Sequence, residues 1–186
     1  MNVIEPLMEE HRVIKDTLAV FNAESAQIME LQQVDLFAIE TSIDFIRTYT
    51  DLVHHGKEEN ILFREIQKKS LADNVANVMK ELMDEHKYAR GIVRKWMATT
   101  ENYFAGKESS QGTIDCLQEL AAFYPRHIGK EDNLFFKPIL QYFTPHEQDD
   151  MIREFADFEH NVLGWKYRKL QTKLQERLDS IGGASA

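Results

Sequence analysis

Two heptapeptides carry most of the chemistry available to this sequence: His54-His55-Gly56-Lys57-Glu58-Glu59-Asn60 and His127-Ile128-Gly129-Lys130-Glu131-Asp132-Asn133. In each, a His and a Glu stand four residues apart, His54 with Glu58 and His127 with Glu131. On a helix that spacing puts both side chains on one face, a turn apart. A single such pair is usually a solvated surface pair; here the recurrence carries the weight. Leu7-Met8-Glu9-Glu10-His11 returns as Leu82-Met83-Asp84-Glu85-His86, and each copy precedes one heptapeptide by about one helix hairpin. The repeated donors His11, His54, Glu58, His86, His127 and Glu131 offer four imidazoles and two carboxylates. That is more than one tetrahedral zinc accepts. It suits two metal ions with bridging carboxylates, and imidazole mixed with carboxylate accommodates iron.

The first heptapeptide also contains an overlapping pair, His55 and Glu59. Alignment on Gly-Lys-Glu selects His54 and Glu58. A helical wheel centred on Phe45, Tyr49, Leu52, Phe63 and Ile66 instead places His55 and Glu59 nearer the apolar face. The repeat takes precedence, leaving His55 and Glu59 as the alternative ligand pair or as groups that orient the ligands. His160 lies outside the repeat and is a further candidate for a fifth imidazole. Glu10 and Glu85 precede two of the His donors and could orient them. Gly56 and Gly129 fall inside expected helices, where each costs about 1 kcal/mol relative to Ala. The repeated offset points to close approach of a neighbouring backbone or a small ligand. Cys116 has no identifiable base beside it, so nothing supports a nucleophilic role.

The elements that must position these donors are helical. Gly and Pro are scarce, and there is little β-branched alternation. Helices are expected over about 3–31, 36–69, 73–104, 114–142 and 145–180, with Asp35 as an N-cap and Thr144-Pro145-His146-Glu147 as a capping box with Pro in the first turn. The fold class is therefore all-α. Two αα-hairpins of one plan form an up-down-up-down four-helix bundle over residues 1–143. An additional C-terminal helix over 144–180 packs on the bundle or at a subunit interface, and 181–186 form a flexible tail.

A formal net charge of -9 argues against nucleic acid and anionic membrane surfaces as partners. The N-terminus, with acids at Glu5, Glu9 and Glu10, lacks the basic and apolar regions of a signal peptide. No apolar stretch has the length of a membrane span. Cys116 is the single cysteine, so no intrachain disulfide can form, and a cytoplasmic location is expected.

The segments EEHRVI (9–14), HHGKEENILF (54–63), DEHKYAR (84–90) and HIGKEDNLFF (127–136) resemble the hemerythrin-like, or HHE cation-binding, family over about residues 3–143. FADFEHNVLGWKYRK (155–169) also resembles the C-terminal helix of some bacterial and archaeal members. The resemblance implies a four-helix bundle with a non-haem di-iron centre ligated by His11, His54, Glu58, His86, His127 and Glu131. Blood-type hemerythrins take a fifth His from an H-x-x-x-H pair on the third helix. Here the positions four before and four after His86 are Leu82 and Arg90, so a fifth ligand must come from elsewhere, such as His160 or water. Relatives that repair iron centres after nitric oxide damage carry a cysteine-bearing N-terminal domain, whereas this sequence opens at the first helix.

The expected function is binding or sensing of O2 or nitric oxide by two Fe ions. The alternatives are a di-iron enzyme, peroxidase-like or releasing iron for iron–sulfur cluster repair, and a structural interaction module with zinc as the substitute metal. No Glu-x-x-His occurs, which argues against a ferritin-like oxidase. A homo-oligomer through the C-terminal helix would supply a partner.

Overall fold

A computed structural model describes the backbone of residues 2–182 and the side chains of residues 2–166. Among the described residues there is no β-strand. Five helical rods account for most of the described residues. α1 is Glu5–Leu31. α2 runs over 36–66, α3 is Asp73–Phe104, α4 runs over 111–139, and α5 is Pro145–Gly182. α1 and α3 both pack on α4, and α5 lies along α2.

The helix ends follow local chemistry. Asn2 Oδ1 accepts from the backbone N–H groups of Ile4 and Glu5 at 3.2 Å each. At the other end of α1, Gln32 takes a left-handed conformation with φ 54° and returns its N–H to Ile28. Asp35 Oδ1 accepts from Phe37 N–H at 2.9 Å and Ala38 N–H at 3.2 Å, the expected N-cap. Thr144 and Glu147 exchange hydrogen bonds, the capping box that opens α5.

α2 and α4 are not uniform α-helices. α2 switches to i→i+5 bonding over Ile46–His55 and again over Glu58–Leu62, and α4 does so over Glu131–Phe136. These wide π turns are rare and concentrate at functional sites. In both hairpins one begins at the repeated Glu. The repeated Asn helps hold it: Asn60 Nδ2 donates to the Gly56 carbonyl and Asn133 Nδ2 to the Gly129 carbonyl, each at 2.8 Å. The side chain thereby occupies an acceptor that an α-helix would assign to the backbone N–H four residues on.

Two apolar layers flank the donor residues. One contains Ile14, Phe21, Trp96, Leu117 and Tyr124; the other contains Leu7, Ile61, Phe63, Leu82, Phe135 and Phe136. On α1, His11 sits between Leu7 of one layer and Ile14 of the other, and on α3 His86 sits between Leu82 and Ala89 in the same way. α5 closes the second layer with Met151 and Phe155. It is tied to α2 by Arg64–Glu154 at 2.7 Å, Lys57–Glu159 at 2.6 Å, and contacts of Lys166 with Asp44 and Thr48. Leu170 and Leu174, which continue the helical spacing of Met151, Phe155, Phe158, Val162 and Leu163 in the sequence, lie outside the described side chains. Of residues 181–186, expected to form a flexible tail, Ile181 and Gly182 end α5, and the rest lie outside the described residues.

Candidate metal centre

The four bundle helices converge seven side chains at mid-height: His11 from α1, His54, His55 and Glu58 from α2, His86 from α3, and His127 and Glu131 from α4. All are at most 2% exposed. Their donor atoms form two groups, each with atoms within 4.8 Å of one another. One is His55, His86 and His127; the other is His11, His54, Glu58 and Glu131.

The two carboxylates straddle these groups. Glu58 Oε1 lies 3.7 Å from His54 Nε2, and its Oε2 lies 3.4 Å from His86 Nε2. Glu131 Oε2 lies 3.1 Å from His11 Nε2, while its Oε1 lies 3.1 Å from His127 Nε2 and 3.4 Å from His86 Nε2. Each carboxylate thus offers one oxygen to each side, as required of a bridging ligand.

An outer ring of acids aims the imidazoles. Nδ1 of His11 meets Asp132 at 2.7 Å, that of His54 meets Glu10 at 2.8 Å, and that of His86 meets Glu59 at 2.7 Å. His127 meets Glu85 at 2.8 Å, and His55 meets Asp51 at 3.4 Å. A ring that donates its Nδ1–H to a carboxylate keeps the Nε2 lone pair for the centre. Cations hold several of these acids. Lys57 donates to Glu10, Lys130 to Glu85 at 2.6 Å, and Arg90 to Asp51 at 2.7 Å and Glu59 at 2.8 Å.

The donor set fits a bound cation. Among the described residues, His11 Nε2, His55 Nε2, His127 Nε2, both Glu58 oxygens and Glu131 Oε2 are buried without a hydrogen-bond partner. The close His11–Glu131 and His127–Glu131 approaches therefore lack hydrogen-bond alignment at these atoms. Buried polar atoms left unpaired are costly, and six pointing at one place are accounted for by metal ions. The protonation balance agrees. Burial and the neighbouring Glu131 charge push the Glu58 carboxyl well above its usual range. Burial also opposes ionisation of Glu131, but His127, His11 and His86 outweigh it and hold that carboxyl well below the usual range. Burial disfavours imidazolium at His11 and His127, yet acidic neighbours raise them to about 9 and about 10; these are chiefly Asp132 and Glu131 for His11 and Glu131 for His127. Burial lowers His54 and His55. Without a cation, protons must take its place.

The structure brings together His11, His54, Glu58, His86, His127 and Glu131, as the repeat suggests. Of the alternatives His54 and His55, it brings both to the centre, one in each donor group. The helical wheel assumes a uniform α turn, but the backbone here has the wider π turn, so adjacent residues can flank the inward direction. The ring of His55 stacks on that of His86, with centroids 3.9 Å apart. Glu59 is not among the converging donors; it holds His86. His160 is exposed on α5 and outside both groups, whereas the imidazole of His55 stands within one of them. Glu10 and Glu85 do orient imidazoles, but on the neighbouring helix rather than on their own. Asp51, Asp132, Lys57 and Lys130 were not anticipated. Lys57 and Lys130 recur at one offset in the two copies, as do the acids Glu59 and Asp132, which is the signal that could have found them.

The chain is 24% identical over 163 residues to an uncharacterized protein from Mycobacterium bovis and, equally, to uncharacterized proteins from two strains of Mycobacterium tuberculosis. These matches cover 86% of this chain and 62% of each relative, so the chain spans less than two thirds of their length. No solved structure gives a significant match. The profile of the hemerythrin HHE cation binding domain matches residues 2–139, taking in all four bundle helices and all seven converging side chains, and the chain belongs to that family.

Proposed function

We propose that this chain is a non-haem di-iron protein that binds or senses a diatomic gas, O2 or nitric oxide. The observation that carries this reading is the uneven division of imidazoles around two shared carboxylates. Among the described residues, His55, His86 and His127 serve one side, and His11 and His54 serve the other. The side with two imidazoles retains coordination capacity for a small ligand. Iron at this centre would supply a redox-active site for a diatomic molecule.

The chain's own residues support that chemistry. Neutral imidazoles favour the reduced metal, and the outer acids fix their tautomers. Phe136, stacked on His11 with centroids 5.5 Å apart, and Phe63, 6.0 Å from His86, help exclude water. Five imidazoles and two carboxylates exceed what one tetrahedral zinc would use and suit two ions; in this reading iron is the native metal and zinc a substitute. A reducing, cytoplasmic setting suits such a centre.

Anaerobic iron loading followed by addition of each gas tests this. A saturable new absorption band on adding O2 or nitric oxide to the reduced protein is expected. No spectral change with either gas would refute the reading. A second reading, a di-iron enzyme, is favoured by one observation: a cavity of about 330 Å³ reaches the buried His55.

A further inference from the structure

That same cavity carries a more specific inference. It opens between α2 and α3, and its wall includes Ile46, Ala89, Val93, Met97 and Tyr124. His55 and Tyr124 are each 1% exposed and form its inner end. Arg47 and Arg94 are exposed and stand at the outer end, with the partly buried Arg90 beside them.

The charges at this mouth are not balanced. The one acid in the lining, Asp51, is already taken by Arg90 Nε at 2.7 Å. Arg90 is itself fully engaged, with Asp51 and with Glu59 at 2.8 Å. Arg47 and Arg94 have no ion-pair partner among the described residues. In a chain of net charge -9, an apolar chamber with two uncommitted guanidinium groups at its entrance is selective by charge. Guanidinium matches a carboxylate through paired N–H donors. The volume falls in the range of small-molecule sites.

We infer that this cavity binds a small amphiphilic carboxylate, with its head on Arg47 and Arg94 and its apolar body against Val93, Met97 and Tyr124, ending beside His55. The inference concerns the pocket and its ligand class. It deepens the di-iron reading by placing an organic acid next to one side of the centre, and it rests on that reading only for this consequence. Arg90 links the site to the metal side, because the two acids it grips hold His55 and His86.

Calorimetric titration of the full chain with hexanoate, and with hexan-1-ol as the uncharged counterpart, tests the inference. Both the protein as isolated and the iron-loaded protein should be titrated. Saturable 1:1 binding of hexanoate is expected in both. Arg47→Gln/Arg94→Gln should weaken hexanoate by about 10-fold or more, as expected for lost charge-assisted contacts, and leave hexan-1-ol within about 2-fold. Both arginines are exposed, so this variant should retain its melting temperature. Val93→Phe, which fills the chamber, should weaken both ligands. Hexanoate that binds equally well to the double variant, or binds only when iron is present, would overturn the inference by pointing to direct metal ligation. Absence of saturable binding to either form would also overturn it. Failure of iron loading with hexanoate binding intact would overturn the di-iron reading and leave the pocket assignment standing.

Discussion

Gly56 and Lys57 lie beneath α5, whereas among the described residues no side chain of α5 reaches the equivalent Gly129 or pairs with Lys130. A Cβ built on Gly56 would come within 2.7 Å of the Phe158 ring, while one on Gly129 meets nothing within 4 Å. Lys57 is 2% exposed and is clamped between Glu10 and Glu159. Lys130 reaches Glu85 and Glu81 with its side chain 25% exposed. One residue further along the repeat from the Asn, Ile61 is 1% exposed and Leu134 is 56% exposed. At the centre the two copies do largely matching work: each supplies a Glu that faces both donor groups, an inward His at the same offset, and a Lys that holds an orienting acid, and the first copy adds His55. The comparison teaches that the doubled motif is set by the centre, and that each copy's outer face is then free to diverge.

The divergence should be measurable as paired substitutions. The largest effect belongs to the buried cation. Lys57→Met leaves Glu10 without its closest partner and frees Glu159, and should cost about 3–5 kcal/mol, as for breaking a buried ion pair. Lys130→Met should cost under about 1 kcal/mol because its partners are part-exposed. Denaturant midpoints for the two variants check this; equal costs would dissolve the contrast.

The glycines come next and should differ in sign. Gly56→Ala forces the tip of Phe158 aside and should cost about 1–3 kcal/mol, with Gly56→Ala/Phe158→Ala showing a favourable coupling energy. Gly129→Ala should stabilise by up to about 1 kcal/mol through helix propensity. Thermal melts of these three variants and of Phe158→Ala alone decide.

The orienting acids test the symmetric part. Glu10→Gln and Glu85→Gln should each weaken metal binding about 10–100-fold. Glu10→Gln should in addition lower the stability of the metal-free protein, because Lys57 depends on it. Competition with a chelator of known affinity measures the first effect, and melting of the metal-free protein the second.

A separate effect, outside the ranking by substitution, is expected from pH. In the metal-free protein His11 and His127 are raised from 6.5 to about 9 and about 10. The folded state therefore binds protons that the unfolded chain releases. Their contribution is complete below about pH 6.5 and is lost as pH rises through 9 to 10. Metal needs neutral imidazoles, so its affinity should rise over the same interval. The melting temperature of metal-free protein should fall between pH 7 and 10, while that of metal-loaded protein should hold. Parallel curves would contradict the assignment.

Much of this was legible in the sequence. The helix starts at Asp35 and Thr144 follow from side chains that bond the backbone locally, and six of the seven converging donors follow from a repeat with its context. The rest depended on features that letters do not carry. A wheel drawn at the α period forces a choice between His54 and His55, but the π turns of α2 remove the choice. Gly56 and Gly129 look equivalent until α5 is placed, and only the first is tightly packed. His160 sits close in sequence to Phe158, which packs on the bundle, yet the helical turn leaves it exposed. The orienting acids act across helices, so their partners cannot be read from neighbours along the chain.

X-ray absorption on anaerobically iron-loaded protein, with iron quantified per chain, tests most directly whether these seven side chains hold two ions. Bridging by Glu58 and Glu131 should give about two irons per chain and a metal–metal distance near about 3.5–4 Å, with His55→Ala reducing iron retention. One iron per chain, no metal–metal scattering, or full retention in His55→Ala would contradict it.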